Sequence, residues 1–472
     1  MIKKKFFYIF LIFVPLFIFL GIFLVFIDID NKNSKFIKDN TPYLLKEFLK
    51  KTIFSIPIHY REYKNLKENN LILSDKNNLL YLENLRYKNL LEFGKEEKFK
   101  INLKNKTYQI KKYVLPFFDN KNIYANKTKG YLEIYKNNIL VAFGSGKIIY
   151  LKKDDLNKGV FSYEIVPNNL LDLNLFDQKI KWTGIKDIKI INDKIFISVT
   201  REITKNCYTI SIISAKISFD FLKFADFFIS DECISLDREI KAFKYFTGYQ
   251  TGGRMVNYKD SLILTIGDFN DWTVPQNNLS IFGKILAIDL RSKKSRLLSL
   301  GHRNQQGLYL INDRKMLIST EHGPKGGDEV NIIKLADEDS KFNKNYGWPK
   351  SSYGNHYDVV PINSYTKKNA PLYKNHTKHG FIEPIKVFTP SIGISEIIGY
   401  EFSDSKNSYF VSSLKEKKLF KLNFDNDFKN PKIEEILVIN ERIRDIIFDK
   451  RLNKYYMYLE NTPSIGILSI EN

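Results

Sequence analysis

The chain has 472 residues, 43% of them hydrophobic, enough apolar material for a sizeable core in one large all-β domain or more. Its formal charge of +21 accompanies a general over-use of Lys, Asn, Ile and Phe. No run of Lys/Arg interleaved with stacking aromatics forms a patch, so nucleic acid is excluded as a partner. The two cysteines, Cys207 and Cys233, stand in no CxxC or Cys/His grouping that would support a zinc site.

The chain starts with a basic flank, Lys3 to Lys5, and an uninterrupted apolar run over residues 6–27. About 20 apolar residues span a bilayer as a helix. The run ends without a small-x-small cleavage site, so it reads as a single-pass anchor over residues 1–30, with a cleaved signal peptide as the alternative. The positive-inside rule keeps the lysines cytoplasmic and exports the remainder. In an exported domain Cys207 and Cys233 could form one disulfide, and two buried free thiols remain open on spacing alone.

Residues 31–125 read as a small membrane-proximal module of mixed α/β structure. Thr41-Pro42 suits a helix start, and a leucine-rich helix is expected over residues 77–93 with Gly94 as its stop. This module carries no evident chemistry; His59 reads as structural. From about Gly130 the grammar changes to short strands separated by Asn-Asn and Gly-Ser-Gly turns. It recurs at residues 185–200, 208–217, 253–267, 284–290, 308–320, 408–423 and 443–459. Groups of short strands at a period of roughly 40 to 50 residues favour an all-β propeller over a single sandwich. That domain is expected over residues 126–472.

Chemistry concentrates between Gly301 and Pro349: GHRNQQGLYL (301–310), STEHGPKGGDEVN (319–331) and NYGWP (345–349). In that order these motifs resemble the glucose/sorbosone dehydrogenase family, the soluble aldose sugar dehydrogenases. TGGRM (251–255), TIGD (265–268), GKILAID (283–289), EPIKVFTPSIGIS (383–395), VSSLKEKKLFKL (411–422) and ERIRDI (441–446) extend the resemblance over about residues 130–470. The resemblance implies a six-bladed β-propeller that binds pyrroloquinoline quinone (PQQ) and calcium and oxidises a sugar hydroxyl by hydride transfer to the quinone. PQQ carries three carboxylates, and guanidinium groups pair bidentately with carboxylates. Arg303, Arg442 and Arg444 suit that task; Arg442 and Arg444, two apart on one strand, share a face. Lys415 matches a cofactor-contacting lysine of the family, and Asn304 is expected near the quinone oxygens. Gly323 and Pro324 match positions whose carbonyls hold the catalytic calcium. Glu329 and Tyr346 match a second, structural calcium site, although this chain inserts KLADEDSKFNK between them.

The pattern breaks at the family's general base. Where the resemblance expects a histidine, this chain has Gln250, which can hydrogen-bond a hydroxyl but cannot hold its proton near neutral pH. General-base catalysis is worth roughly 10²–10⁴-fold. His302 is the nearest alternative in sequence, with a supporting or core role expected, and Tyr249 is a poor base. The Phe143-Gly144-Ser145-Gly146 turn also lacks the charged lining expected there. Two readings follow: a membrane-anchored, periplasmic PQQ-linked dehydrogenase of an aldose or polyol at a bacterial inner membrane, or a catalytically inactive propeller that binds.

Overall fold

The computed structural model describes residues 91–103, 105–116, 128–173, 175, 183–235, 249–335, 344–358, 360–403, 407–429 and 431–471, with residues 69, 73, 77, 80, 83 and 84. The chain divides into two units, 1–87 and 88–472. In the first, the described residues are helical and exposed. The expected anchor and the Thr41-Pro42 helix start lie outside the described residues. Among the described residues no helix is long and apolar enough to cross a membrane. Leu91 and Glu92 are helical, and Gly94 follows at φ +70°.

The second unit opens with the hairpin β1 (Glu96–Leu103) and β2 (Lys106–Val114). Five antiparallel sheets then follow in chain order. The first is β3 (Gly130–Tyr135), β4 (Asn138–Phe143), β5 (Ile148–Lys152) and β6 (Glu164–Val166). The second is β7 (Gly184–Ile191), β8 (Lys194–Thr204), β9 (Cys207–Lys216) and β10 (Ala225–Ile229), with β11 (Ile234–Ser235) also on β9. The third is β12 (Gly252–Tyr258), β13 (Ser261–Ile266), β14 (Lys284–Asp289) and β15 (Ser295–Leu300). The fourth is β16 (Gln305–Ile311), β17 (Met316–Glu321), β18 (Asp328–Lys334) and β19 (Lys386–Phe388). The fifth is β20 (Ile394–Gly399), β21 (Ser408–Ser413), β22 (Lys418–Asn423) and β23 (Lys432–Val438).

The sixth sheet combines both ends of the unit: β24 (Ile443–Asp449), β25 (Lys454–Leu459) and β26 (Ser464–Glu471) continue into β2 and β1. Thr107 to Val114 pair with Glu471 to Ser464 without a slip. The propeller therefore reaches back to Glu96, inside the stretch assigned by sequence to the membrane-proximal module. Residues 96–114 have the period-2 pattern of a sheet strand, but their partner lies some 350 residues away and leaves no local signal.

The innermost strands β3, β7, β12, β16, β20 and β24 contact one another in sequence around a closed ring, β24 returning to β3. Six apolar clusters fill the wedges between adjacent blades. One joins Ile210 and Phe196 of the second blade to Leu264 and Leu286 of the third. Another joins Tyr456 and Ile465 of the sixth to Val141 and Ile149 of the first. At roughly 25 cal/mol per Å² of apolar surface, these wedges are the main force holding blade to blade. Cys207 and Cys233 are bridged, with Cα atoms 5.5 Å apart, fastening β11 beside β9.

Candidate functional site at the mouth of the ring

All six inner strands run the same way, so their first residues share one end of the axis, here called the mouth. Five of them carry a register shift at that end: between Ile185 and Asp187, Gly252 and Met255, Gln305 and Gly307, Ile394 and Ile397, and Ile443 and Asp445. A β-bulge places two residues opposite one, frees backbone N–H groups and re-aims side chains. Backbone N–H groups of the inner strands are taken by carboxylates that neighbouring inner strands present. Asp187 Oδ2 accepts from Met255 N at 2.7 Å, Glu396 Oε1 from Leu308 N at 3.0 Å and Asp445 Oδ2 from Leu132 N at 2.6 Å.

Arg254 binds these three carboxylates together. Its Nη1 lies 3.2 Å from Asp187, 3.1 Å from Glu396 and 2.9 Å from Asp445. Its Nε donates to the Gln306 carbonyl and its Nη2 to the Arg444 carbonyl, each at 2.8 Å. The guanidinium also lies 5.1 Å from the Tyr131 ring centre. Burial pushes the Asp187 and Glu396 carboxyls up, against the pull of Arg254. Arg254 thus plugs the axis, a role the TGGRM motif did not reveal from sequence.

Above this plug stand the residues singled out from sequence. Gln250 adopts φ +58°, and its carbonyl accepts from Phe269 N at 3.1 Å. Gly267 is required beneath it, because a Cβ there would come within 1.9 Å of that carbonyl oxygen. In the amide orientation that satisfies both ends, Gln250 Nε2 donates to Asp268 Oδ1 at 2.7 Å and Oε1 accepts from Arg303 Nη2 at 2.8 Å. Asp268 is fully buried, receives Trp348 Nε1–H at 2.7 Å, and is pushed up to about 7 by burial, with Arg303 opposing. In the sequence Asp268 stands out only as the last residue of the TIGD motif.

Arg303 is buried over Trp348, its guanidinium 5.3 Å from the ring, and its Nη1 donates to the carbonyls of His322 at 3.0 Å and Gly323 at 2.8 Å. Asn304 Oδ1 accepts from Gly252 N at 3.1 Å and Gln306 Nε2 at 3.0 Å. Arg442 and Arg444 share one partner: Arg442 Nε meets Glu460 Oε2 at 3.2 Å and Arg444 Nε meets Oε1 at 2.6 Å. Both arginines hold the Glu460 carboxyl below its usual range, against burial. Arg444 Nη1 also donates to Gln306 Oε1 at 3.0 Å, linking it through Gln306 to Asn304. Lys415 is exposed and donates to the Ser391 carbonyl at 3.2 Å. His302 has no exposed surface; it is held between Ser299 Oγ at 2.8 Å and Glu321 Oε2 at 2.9 Å, with Tyr346 stacked on it. That is a supporting position, as its sequence context suggested.

The carbonyls expected to hold a catalytic calcium have other partners. The Gly323 carbonyl faces the Arg303 guanidinium and the Pro324 carbonyl accepts from Ser391 Oγ at 3.5 Å. A guanidinium carries the same sign as calcium, so this arrangement does not fit a cation at that place. Glu329 and Tyr346 do meet, through His376: its Nδ1 lies 3.1 Å from the Tyr346 carbonyl and its Nε2 3.6 Å from Glu329 Oε1. Burial and the nearby Glu321 raise the Glu329 carboxyl well above its usual range, and Asn331 Oδ1 is buried without a partner. Buried carboxylate and amide oxygens are the donor type calcium takes, so this second position fits such an ion. Among the described residues no three His, Cys, Asp or Glu side chains are grouped as metal ligands.

Comparisons with known proteins agree with this picture. Residues 238–463 match the family described as Glucose / Sorbosone dehydrogenase. The aldose sugar dehydrogenase YliI of Escherichia coli (strain K12) is 26% identical over 220 residues, covering 43% of this chain and 55% of that protein. Quinoprotein glucose dehydrogenase B of Acinetobacter calcoaceticus is 23% identical over 242 residues, covering 41% of this chain and 47% of that protein. The chain spans about half the length of the curated relatives it matches. The crystal structure of the soluble aldose sugar dehydrogenase from Escherichia coli, in its apo form, covers 76% of this chain and 99% of its own at 18% identity and a TM-score of 0.55. At that identity the likeness shows a shared fold.

Proposed function

This chain belongs, through residues 238–463, to the glucose/sorbosone dehydrogenase family, and from that premise we propose that it is a quinone-linked dehydrogenase of an aldose or related polyol with an altered proton acceptor. The observation that supports it is convergence: Arg303, Asn304, Arg442, Arg444 and Gln250, spread over nearly 200 residues, meet at one end of the ring. The donor set fits a flat polycarboxylate such as PQQ, which when bound supplies the two-electron acceptor. Arg444 and Arg442 are fixed by Glu460, and Arg303 by backbone carbonyls, so the cations are oriented before a ligand arrives. Lys415, exposed on its loop and donating to the Ser391 carbonyl, adds a further charge.

Gln250 occupies the base position. Its amide is held by Asp268 and Arg303, which lets it orient a sugar hydroxyl without accepting the proton. Asp268, pushed up to about 7, lies behind that amide with Trp348 on its other oxygen. The Arg303 guanidinium occupies the Gly323 carbonyl, so no calcium fits there; Glu329 and Asn331 would hold a structural ion. The same glutamine favours a second reading, a propeller that binds cofactor and sugar without turnover. The apolar run over residues 6–27 and the Cys207–Cys233 bridge support an exported location at a bacterial inner membrane.

The test is titration of the full chain, in detergent, with PQQ in the presence of calcium. Saturable binding at micromolar concentration is expected; its absence removes the dehydrogenase reading. Dye-linked oxidation of an aldose panel by the native chain and by Gln250→His then separates the two readings. The histidine variant is expected to be faster by about 10²–10⁴-fold. Activity confined to the variant would identify the native chain as a binder.

A further inference from the structure

The chain between β18 and β19 returns to the fourth blade at one buried polar point. Glu329 and Asn331, two apart on β18, share a face, and Asn331 Nδ2 donates to Glu329 Oε2 at 3.4 Å. Asn331 Oδ1 is buried without a partner, as is the hydroxyl of Ser319, directly across the sheet on β17. His376, in the short turn His376–His379, faces Glu329 from the other side. Its Nδ1 lies 3.1 Å from the Tyr346 carbonyl, which can only accept, so Nδ1 carries the proton and donates. Nε2 then offers a lone pair; it makes no hydrogen bond and lies 3.6 Å from Glu329 Oε1. Tyr353 stacks on the imidazole and fixes its plane, the centroids 5.5 Å apart. Asn331 and His376 are each 1% exposed and Glu329 8%, so water does not satisfy them freely.

We infer that Glu329, Asn331 and His376 form a divalent-metal site that takes a nitrogen-accepting ion of the zinc class in preference to calcium. The resemblance pairs Glu329 with Tyr346 in a calcium site. In this chain the Tyr346 carbonyl is taken by His376 Nδ1, and Nε2 is the donor turned toward Glu329. Calcium takes oxygen ligands, whereas imidazole suits zinc and its neighbours. A ring that binds metal through one nitrogen and gives its other N–H to a backbone carbonyl is the usual arrangement of a metal-bound histidine. Two donors about 2.1 Å from one ion, at the tetrahedral angle, stand about 3.4 Å apart, so Nε2 and Oε1 need move little to share one. Asn331 Oδ1 is the third donor. Buried Glu329 feels the charges of Glu321, Glu383 and Asp328, and among the described residues no lysine or arginine pairs with it, so a dication offsets the local excess. The ion would tie the His376 turn to β18 and, through Tyr346, steady the segment that carries Trp348 to Arg303.

The experiment is isothermal titration of the full chain, in detergent and stripped by chelator, with zinc, cobalt and calcium chlorides in turn. Zinc and cobalt are expected to bind at least tenfold tighter than calcium, and zinc to raise the thermal midpoint further at equal concentration. Calcium binding as tight as zinc overturns the inference. His376→Gln replaces the nitrogen by an amide oxygen and should abolish the preference for zinc, while Glu329→Gln should weaken every ion. Zinc affinity unchanged in His376→Gln also overturns the inference. Crystals of the native chain soaked in zinc keep the test open where a variant fails to fold. Anomalous density is expected between His376 Nε2 and Glu329 Oε1. Density confined to an exposed histidine such as His379 would mean an adventitious ion only, and the inference falls. None of these readouts uses sugar or quinone, so their failure leaves the dehydrogenase reading standing.

Discussion

Two layers of the propeller axis lie one residue apart on β24 and treat charge in opposite ways. In the lower layer Asp187, Glu396 and Asp445 surround Arg254, and each of their carboxylate oxygens has a partner within the protein. In the upper layer Arg444, the immediate neighbour of Asp445, and Arg442 share the carboxylate of Glu460. The lower layer closes the axis and the upper one offers charge to a ligand. Neighbouring strand residues normally point to opposite faces. The bulge at Arg444 lets one short stretch of strand serve both purposes.

The largest effect should come from breaking the lower layer. Arg254→Met leaves three carboxylates buried without their cation and should cost about 3–5 kcal/mol of unfolding free energy, read by denaturant titration. A loss under about 1 kcal/mol would mean the plug is not what holds the strand starts together. One residue before Asp187, at Lys186, the sign reverses. Lys186 titrates near 7 in the folded chain and near its ordinary 10.5 when unfolded, so the folded state holds fewer protons between those values. Stability therefore rises with pH across that window. Lys186→Met should raise the thermal midpoint by a few degrees below pH 7, and the gain should fade toward pH 10.5. A gain independent of pH would assign the effect to packing rather than charge. The smallest difference is expected within the Glu460 pair. Arg442, 40% exposed at its side chain, should contribute less than about 1 kcal/mol, while Arg444→Met should cost more, compared by the same thermal scans.

Much of the fold was legible because alternation and turn residues are local: the strands from Gly130 onward and the ring they form were expected. Arg303, Asn304, Arg442 and Arg444 were legible because they sit inside ordered motifs, and the structure brings them together. Lys186 was not. It reads as one more residue in an apolar strand, and only a bulge, which depends on the facing strand, sets it against Gly253 of the next blade. Arg254 was visible in its motif, but its partners lie 67, 142 and 191 residues away, at Asp187, Glu396 and Asp445. The Gly323 carbonyl was expected to hold a cation, and it does face positive charge, that of Arg303. Backbone carbonyls carry no sequence signature of their own partners.

The sixth blade carries a consequence for how the chain is made. Its outer strands β1 and β2 leave the ribosome first, while β26, which pairs with β2, leaves last. Joining ends that far apart carries a large loop-closure entropy, and such non-local pairing slows folding. Until β26 emerges, β2 has an unpaired edge, and the edges of the first and fifth blades that the sixth will cover stay open. Blades one to five can form in order behind the ribosome, but the mouth is assembled only when β24 arrives with Arg442 and Arg444. The arginine pair of the mouth is therefore added in one late step, and a nascent chain cut short before residue 442 would have blades but lack that pair.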